Sequence, residues 1–303
     1  MIEYVDREQL DIVRWDERVQ RAEGFKHYYL SYYLDHATEK WAALVCDDYE
    51  WVWPLPFKSN IVKWVFQPLL CQQLGPIGRA LSAKEWTEAI SIINRHFSWF
   101  NVKFNDILNE LPLPNQETHR NIELDLSPSY DRLLPAYKRN IRSNLKKFEK
   151  SGALVKEDAS YRSWAVEGFQ ATKGHDIPEL DASFYRQVES IYRVFQSRSA
   201  AKTYLALHED ELVAQLMLLE AGQRSLVFFT HASDRAREIG AMHALIDHAI
   251  KERAGESGAL LDFEGSDNDN LAYFYQSFGG EERVYLQAGT KSILHTLKDR
   301  FIP

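Results

Sequence analysis

Residues 237–242, Arg-Glu-Ile-Gly-Ala-Met, have the composition of an anion-binding turn. They lie at a predicted junction between a strand and a helix, where the first helical N–H groups have no intrahelical acceptor and the helix dipole is positive. Gly240 would let the backbone approach a ligand, and Arg235 or Arg237 would add charge. These features predict a diphosphate site. On spacing alone, an ordinary helix-opening loop with exposed arginines explains the segment equally well.

A second candidate is the aromatic segment Asn268–Gly280. Phe274, Tyr275 and Phe278 have the spacing of a helix core, with Gly279 as the helix stop. Tyr275 would alternatively place its hydroxyl in a cleft and donate a proton to a leaving group. His231, at the end of a predicted strand, is a weaker candidate for a second base; a lone histidine at a strand end is alternatively a plain polar residue.

The elements that must position these residues are predicted from alternation and turn signals in the second half of the chain. Three strands form an antiparallel meander, and a helix, a strand, a helix and a strand follow. Their predicted bounds are Lys202–Leu207, Leu212–Glu220, Ser225–His231, Arg237–Arg253, Ala259–Glu264, Asn268–Phe278 and Glu282–Gln287. This order requires a sheet that mixes antiparallel hairpins with one parallel crossover.

The first half repeats this order in a weaker form. Its predicted strands and helix are Trp41–Cys46, Trp51–Pro56, Ile61–Phe66, Ser82–Phe97, Val102–Ile107 and Arg120–Leu126, with Asn109–Gln116 in place of the short helix. The repetition predicts an α/β (α+β) protein of two related lobes, each a mostly antiparallel sheet flanked by helices. We place the degenerate N-terminal lobe at 1–130 and the C-terminal lobe, which carries the site, at 131–303.

The predicted helix 133–150, which links the lobes, is amphipathic and strongly basic. Its apolar residues have helical spacing, and its remaining faces carry six cations: Lys138, Arg139, Arg142, Lys146, Lys147 and Lys150. Such a face either contacts a polyanion, as in tRNA, anionic lipid or a phosphorylated acceptor, or is simply solvated.

Composition excludes several classes of protein. The 303 residues are 45% hydrophobic and 26% charged, which excludes wholesale disorder, and the net charge of −8 argues against wholesale nucleic-acid binding. Cys46 and Cys71 form no metal-ligand spacing and no disulfide framework. The N-terminus lacks signal-peptide character, and no apolar run approaches the roughly 20 residues that span a bilayer. We therefore predict a cytoplasmic protein with no metal and no integral membrane association.

Taken in order, these motifs resemble the GNAT superfamily of N-acyltransferases. Arg237 and Gly240 match its helix-start fingerprint, with Met242 departing at the last position. Asn268, Tyr275 and Gly279 match its later signature. Three further segments resemble the FemABX-like branch, which pairs two such lobes: Gln67-Pro68 with Gln72-Gln73-Leu74-Gly75, Asn140-Ile141-Arg142 running to Ser151-Gly152, and Asp262–Ser266 running into Phe274–Gly279.

The resemblance implies acyl transfer from acetyl-CoA or another acyl-CoA to a small-molecule or peptide amine. Residues implied to bind the donor are Arg235, Arg237, Gly240, Ala241 and Asn268, while backbone N–H groups near Phe229–Ala232 would polarise the thioester carbonyl. Asp262 and Glu264, predicted on one face of their strand, are the candidate general bases, with surface carboxylates or a helix cap as the alternative. Tyr275 would return a proton to the thiolate. Gln72, Gln73 and His231 are expected on the acceptor side.

Two alternatives stay open. One is a FemABX-type peptidyl transferase that takes its acyl group from aminoacyl-tRNA, although the chain holds no long helical arm between the basic helix and the meander. The other is a non-catalytic binding protein that kept the fold.

Overall fold

The computed structural model describes residues 1–158 and 160–290. Residues 1–116 contain six strands and three α-helices: β1 (Ile2–Asp6), α1 (Ile12–Arg21), α2 (Ser31–Ala37), β2 (Trp41–Cys46), β3 (Trp51–Ser59), β4 (Lys63–Val65), β5 (Ile77–Gly78), α3 (Ala83–His96) and β6 (Phe100–Lys103). Residues 117–290 contain the others: β7 (Glu117–Asp125), α4 (Tyr130–Leu133), α5 (Arg139–Lys150), β8 (Leu154–Asp158), α6 (Trp164–Ala171), α7 (Ala182–Gln196), β9 (Ala201–His208), β10 (Glu211–Ala221), β11 (Arg224–Ala232), α8 (Asp234–Ile239), α9 (Ala241–Arg253), β12 (Leu260–Asp262), α10 (Asp269–Gln276) and β13 (Glu281–Thr290).

The chain divides into two compact units. Unit 1 is Met1–His119 with the segment that begins at Val284, and unit 2 is Arg120–Arg283. This division differs from the sequence-based boundary at residue 130. Most of β7 belongs to unit 2, where it pairs with β12, while the second half of β13 pairs with β6 in unit 1. These boundaries depend on pairing between strands that are far apart in the sequence. Local sequence patterns do not show which distant strands pair.

The sheet of unit 1 has the strand order β1-β2-β3-β4-β6-β13, with β5 paired to β3. All of its strand β2 and the first six residues of β3 are buried, which matches the continuous apolar sequence of these stretches. The parallel crossover from β4 to β6 runs through α3, whose N-terminus is fixed by a capping box between Ser82 and Glu85. Trp53 and Trp86 meet edge to face in the core of this unit.

The sheet of unit 2 has the order β7-β12-β11-β10-β9-β8. Strands β8 to β11 form an antiparallel meander, β11 and β12 are parallel, and β12 and β7 are antiparallel. The crossover from β11 to β12 runs through α9, whose buried residues Leu245, Ile246 and Ile250 belong to the core of this unit. Both units thus place a helical parallel crossover after antiparallel strands, and the predicted fold class is confirmed.

Several predicted bounds are wrong, for local reasons. The helix predicted over 237–253 is two helices, because Gly240 adopts the left-handed conformation (φ 76°) that ends α8 before α9 begins. The helix predicted from residue 133 is continuous only from Arg139, since Lys138 is in an extended conformation. The strand predicted over 259–264 ends at Asp262. Across the described residues, no helix is both long and apolar enough to cross a membrane.

Candidate active site

Strands β11 and β12 separate at one end of the sheet in unit 2. Their parallel pairing covers Arg224–Leu226 against Leu260–Asp262, whereas β11 continues to Ala232. A β-bulge at Phe228 interrupts the register between β10 and β11 just beyond the last β12 pair. Bulges bend a strand and increase its twist. The end of β11, including the Phe229–Ala232 backbone, is therefore positioned to border an opening in the sheet.

A cavity of about 230 Å³ lies at this end of β11. Helix α6 and its C-terminal turn, the end of β11, α8, the first turns of α9, and α10 line it. The lining residues are Phe169, Thr172, Lys173, Thr230, His231, Ala232, Arg237, Met242, Ile246, Leu271, Phe274 and Tyr275. Most of this wall is apolar, and its charged members are the two cations Lys173 and Arg237. Arg237 also forms an ion pair with the exposed Asp234 one turn earlier on α8.

Tyr275 lies on the wall formed by α10. Its ring stacks on Phe263 with the centroids 4.4 Å apart, and the residue is 7% exposed. Burial, with the nearby charge of Glu264 as the second cause, raises the pKa of the phenol well above its usual value. The hydroxyl therefore stays protonated at working pH and is able to donate a proton.

His231 lies on the wall at the end of β11. Its ring packs edge to face against Trp164 of α6 at 5.0 Å and directly against Gly168, where a Cβ would collide with the imidazole. Burial, followed by the charges of Arg237 and Lys173, lowers the pKa of His231. At neutral pH the imidazole is thus held in its neutral form, which accepts a proton.

Asp262 does not lie on the cavity wall. It is fully buried, and its carboxylate accepts hydrogen bonds from Asn121 Nδ2 at 2.7 Å and Arg224 Nη1 at 2.8 Å. The same guanidinium contacts Glu123 Oε1 at 2.6 Å. This ionic network joins β7, β11 and β12, so the structure favours a role for Asp262 in holding the three strands together.

Glu264 does not share a strand face with Asp262, and this prediction is wrong. The strand ends at Asp262, and Glu264 has φ 48°, so the chain has already turned. The turn is closed by the Glu264 backbone N–H, which donates to Asp262 Oδ1 at 3.1 Å. Glu264 is absent from the described residues that line the cavity, although its charge acts on Tyr275.

Gly240 packs closely against another helix on its side-chain side. A Cβ at this position would lie 2.6 Å from the carbonyl oxygen of Asn144, because α5 packs on the turn between α8 and α9. Ala241 is fully buried in the core. A role of Gly240 and Ala241 in donor binding stays a prediction. Arg237 and Met242 lie on the cavity side of the same turn.

The other predicted donor-binding residues have structural partners. Arg235 Nη1 pairs with Glu238 at 2.9 Å, and its Nη2 lies 3.4 Å from His208 Nε2. Asn268 caps α10, since its side-chain oxygen accepts from the backbone N–H groups of Asn270 and Leu271. Neither residue is among those that line the cavity.

Gln72 and Gln73 belong to unit 1. Gln73 is fully buried; its Nε2 donates to Gln72 Oε1 at 3.0 Å and its Oε1 accepts from the Asp106 N–H at 2.9 Å. Both ends of the Gln73 amide are therefore used in hydrogen bonds within unit 1, which is a structural role. A role of either residue in acceptor binding stays a prediction.

The sequence reasoning missed Phe169, Thr172 and Lys173. These residues lie in α6 and in the turn after it, where the sequence predicted no functional site. A lone lysine before a glycine, as at Lys173, matches no motif that would indicate a binding site. Among the residues that the structure describes, no group of three or more His, Cys, Asp or Glu side chains is arranged to hold a metal ion.

Comparison with known proteins supports the fold. Residues 135–275 match the family model described as an acetyltransferase (GNAT) domain. This segment, just under half of the chain, is therefore similar to a GNAT domain. The fold of the chain is GNAT-like and FemABX-like, as the sequence resemblance predicted.

Two solved structures that resemble the chain match it over nearly its full length. The crystal structure of FemX resembles this chain with a TM-score of 0.68, and the two sequences are 15% identical. The match covers 99% of each chain. A conserved protein of unknown function from Bacteroides thetaiotaomicron VPI-5482 is 10% identical with a TM-score of 0.63, over 96% of this chain and 100% of that one. At these identities the likeness establishes the fold. No curated protein sequence matches significantly.

Proposed function

We propose that the protein is an N-acyltransferase that moves an acyl group from acyl-CoA to an amine within the cavity of unit 2. The observation that carries this proposal is the joint placement of Tyr275, His231, Lys173 and Arg237 around one apolar cavity where β11 and β12 separate. An acyl-CoA has an apolar thioester arm and an anionic diphosphate, which match the apolar wall and the two cations.

In this mechanism His231 accepts a proton from the incoming ammonium, and the free amine attacks the thioester carbon. Backbone N–H groups at the end of β11 would stabilise the negative charge that develops on the carbonyl oxygen. The tetrahedral intermediate then expels the thiolate, which takes a proton from the Tyr275 phenol. The nitrogen of the new amide gives its remaining extra proton to the Tyr275 phenolate, and protonated His231 releases its proton to solvent, so both side chains return to their starting states. Much of the rate enhancement would come from holding donor and acceptor together in one cavity.

Donor binding gives the direct test. Arg237→Gln should weaken acyl-CoA binding roughly tenfold to a hundredfold, the range of a hydrogen bond to a charged group. Arg235→Gln is the matched control: it removes the same charge from the same helix, at a side chain of similar exposure that does not line the cavity. Isothermal titration with acetyl-CoA measures both. Equal loss in both variants, or no binding by the wild type, would rule out this donor site.

The role of His231 predicts a pH dependence. Its pKa is lowered in the fold, so the imidazole is neutral at pH 7 and becomes protonated only as the pH falls through a value below its ordinary 6.5. We expect kcat/KM to decline on the acidic side of that value, and His231→Gln to lower kcat/KM at pH 7 roughly a hundredfold or more. If His231→Gln kept the same acidic decline in kcat/KM as the wild type, the base would have to be assigned elsewhere.

Aminoacyl-tRNA is the second candidate donor. It is favoured by the exposed cations of α5, which packs on the turn between α8 and α9 at the cationic side of the cavity. If the protein bound aminoacyl-tRNA and had no affinity for CoA, aminoacyl-tRNA would be the donor. Retention of neither donor would support a non-catalytic binding protein.

A further inference from the structure

Helix α6 is attached to the sheet by a glutamine that lies directly beside His231. Gln215 of β10 is the register partner of His231 in the antiparallel pair of β10 and β11, so both side chains point to the same face of the sheet. Gln215 is fully buried. Its Oε1 accepts a hydrogen bond from the Ala165 N–H at 3.1 Å, and its Nε2 donates to the Arg162 carbonyl oxygen at 3.1 Å. One side-chain amide therefore joins β10 to the beginning of α6.

This amide supplies the N-terminal cap of α6. Ser163, at the N-cap position, makes no capping hydrogen bond with its side chain. The first N–H groups of a helix have no intrahelical acceptor, and a buried N–H group that is left unpaired is costly. Ala165 is fully buried, and its acceptor comes from β10. The first turn of α6 is therefore satisfied only when the helix lies against the sheet at Gln215.

In this position α6 packs directly on the His231 imidazole. Trp164 meets the ring edge to face, with the ring centroids 5.0 Å apart. Gly168 lies four residues later and thus on the same face of the helix. A Cβ at Gly168 would be 2.4 Å from both Cδ2 and Nε2 of the imidazole. Glycine is unfavourable inside a helix, and this close contact explains why it is present here.

We propose that Gln215 is a positioning residue for acyl transfer: it holds α6 against His231, and the helix in turn fixes the imidazole at the cavity wall. The role of His231 as the base rests on the proposed function, whereas the packing of α6 on its ring does not. Burial, followed by the charges of Arg237 and Lys173, lowers the pKa of His231. Because α6 covers the ring and leads into Lys173, detachment of the helix should raise this pKa toward its ordinary value.

NMR titration of the His231 ring tests the proposal. Its resonance is the one that is missing from the spectrum of His231→Gln. Gln215→Met keeps a side chain of similar length but removes both hydrogen bonds, and Gly168→Ala places a methyl group where the imidazole lies. We expect each variant to raise the pKa of His231 and to move the acidic decline of kcat/KM to higher pH. Since the base is displaced, kcat/KM at pH 7 should fall roughly tenfold to a hundredfold.

Thr203→Val and Gln170→Ala are the matched controls. Thr203 is fully buried on β9, a strand that does not pair with β11, and its hydroxyl shares a hydrogen bond of 2.6 Å with the Tyr192 hydroxyl of α7. Thr203→Val therefore breaks a comparable link between the sheet and a different helix. Gln170 is an exposed residue of α6, so Gln170→Ala changes the same helix away from the ring. Both controls should keep the wild-type pKa of His231 and the wild-type pH profile.

Two results would overturn the proposal. One is a pKa of His231 that stays at the wild-type value in both Gln215→Met and Gly168→Ala. The other is an equal rise of this pKa in Thr203→Val, which would show that any loss of a buried hydrogen bond on this face has the same effect. The titration needs no acyl donor, so it decides whether Gln215 and α6 position the imidazole even if the protein transfers no acyl group.

Discussion

Tyr275→Phe should lower kcat roughly 10² to 10³-fold while leaving KM for the acyl donor nearly unchanged. The phenol is held protonated by burial and lies on the cavity wall, so its loss removes a proton donor that acts only as the thiolate departs. The phenylalanine keeps the stacking contact with Phe263, and we expect the free energy of unfolding to change by less than about 1 kcal/mol.

Tyr273→Phe provides the control for this measurement. Tyr273 lies on the same helix two residues earlier, its ring is largely exposed, and it does not line the cavity. Steady-state kinetics of thiol release should give wild-type values for it. If Tyr275→Phe retained full kcat, the phenol would not be the proton donor and the proposed mechanism would lose its acid.

Asp262→Ala should destabilise the protein by about 3–5 kcal/mol, the range for breaking a buried ion pair by removing one partner. The carboxylate is fully buried and contacts Arg224 and Asn121, so the substitution leaves their donors partly unsatisfied between β7, β11 and β12. Urea denaturation followed by fluorescence measures the loss.

Asp269→Ala is the comparison for Asp262→Ala. Asp269 pairs with Arg120, but its side chain is almost fully exposed, so we expect a loss of about 1 kcal/mol at most. A different result, in which Asp262→Ala kept wild-type stability and lost only kcat, would restore Asp262 as the general base and remove the structural role assigned to it.

The fold was largely predictable because its signals are local. The meander β9 to β11 follows from alternation and turn residues at 208–211 and 221–224, and the repeated order of elements in the first half predicted the second lobe. The division into units was less accessible, since β7 and β13 pair with strands far away in sequence.

The site was predictable only in part, and Gly240 and Asp262 show why. The sequence predicted Gly240 as a ligand-facing glycine, but the structure also requires glycine there for its left-handed conformation and for its contact with Asn144, almost a hundred residues earlier in the chain. If the strand continued, Asp262 would share an exposed face with Glu264. In the structure Asp262 is buried and bonded to Arg224 and Asn121. Tyr275 and Arg237, whose positions a motif predicted, line the cavity, and so does Lys173, for which the sequence offers no motif.

The claim that the cavity of unit 2 is the site of acyl transfer is tested most directly by a crystal structure with CoA bound. We predict density for the pantetheine arm between the end of β11 and α10, with the sulfur beside Tyr275 and the diphosphate near Arg237. Density for CoA at another place on the chain, with this cavity empty under saturating ligand, would contradict the account.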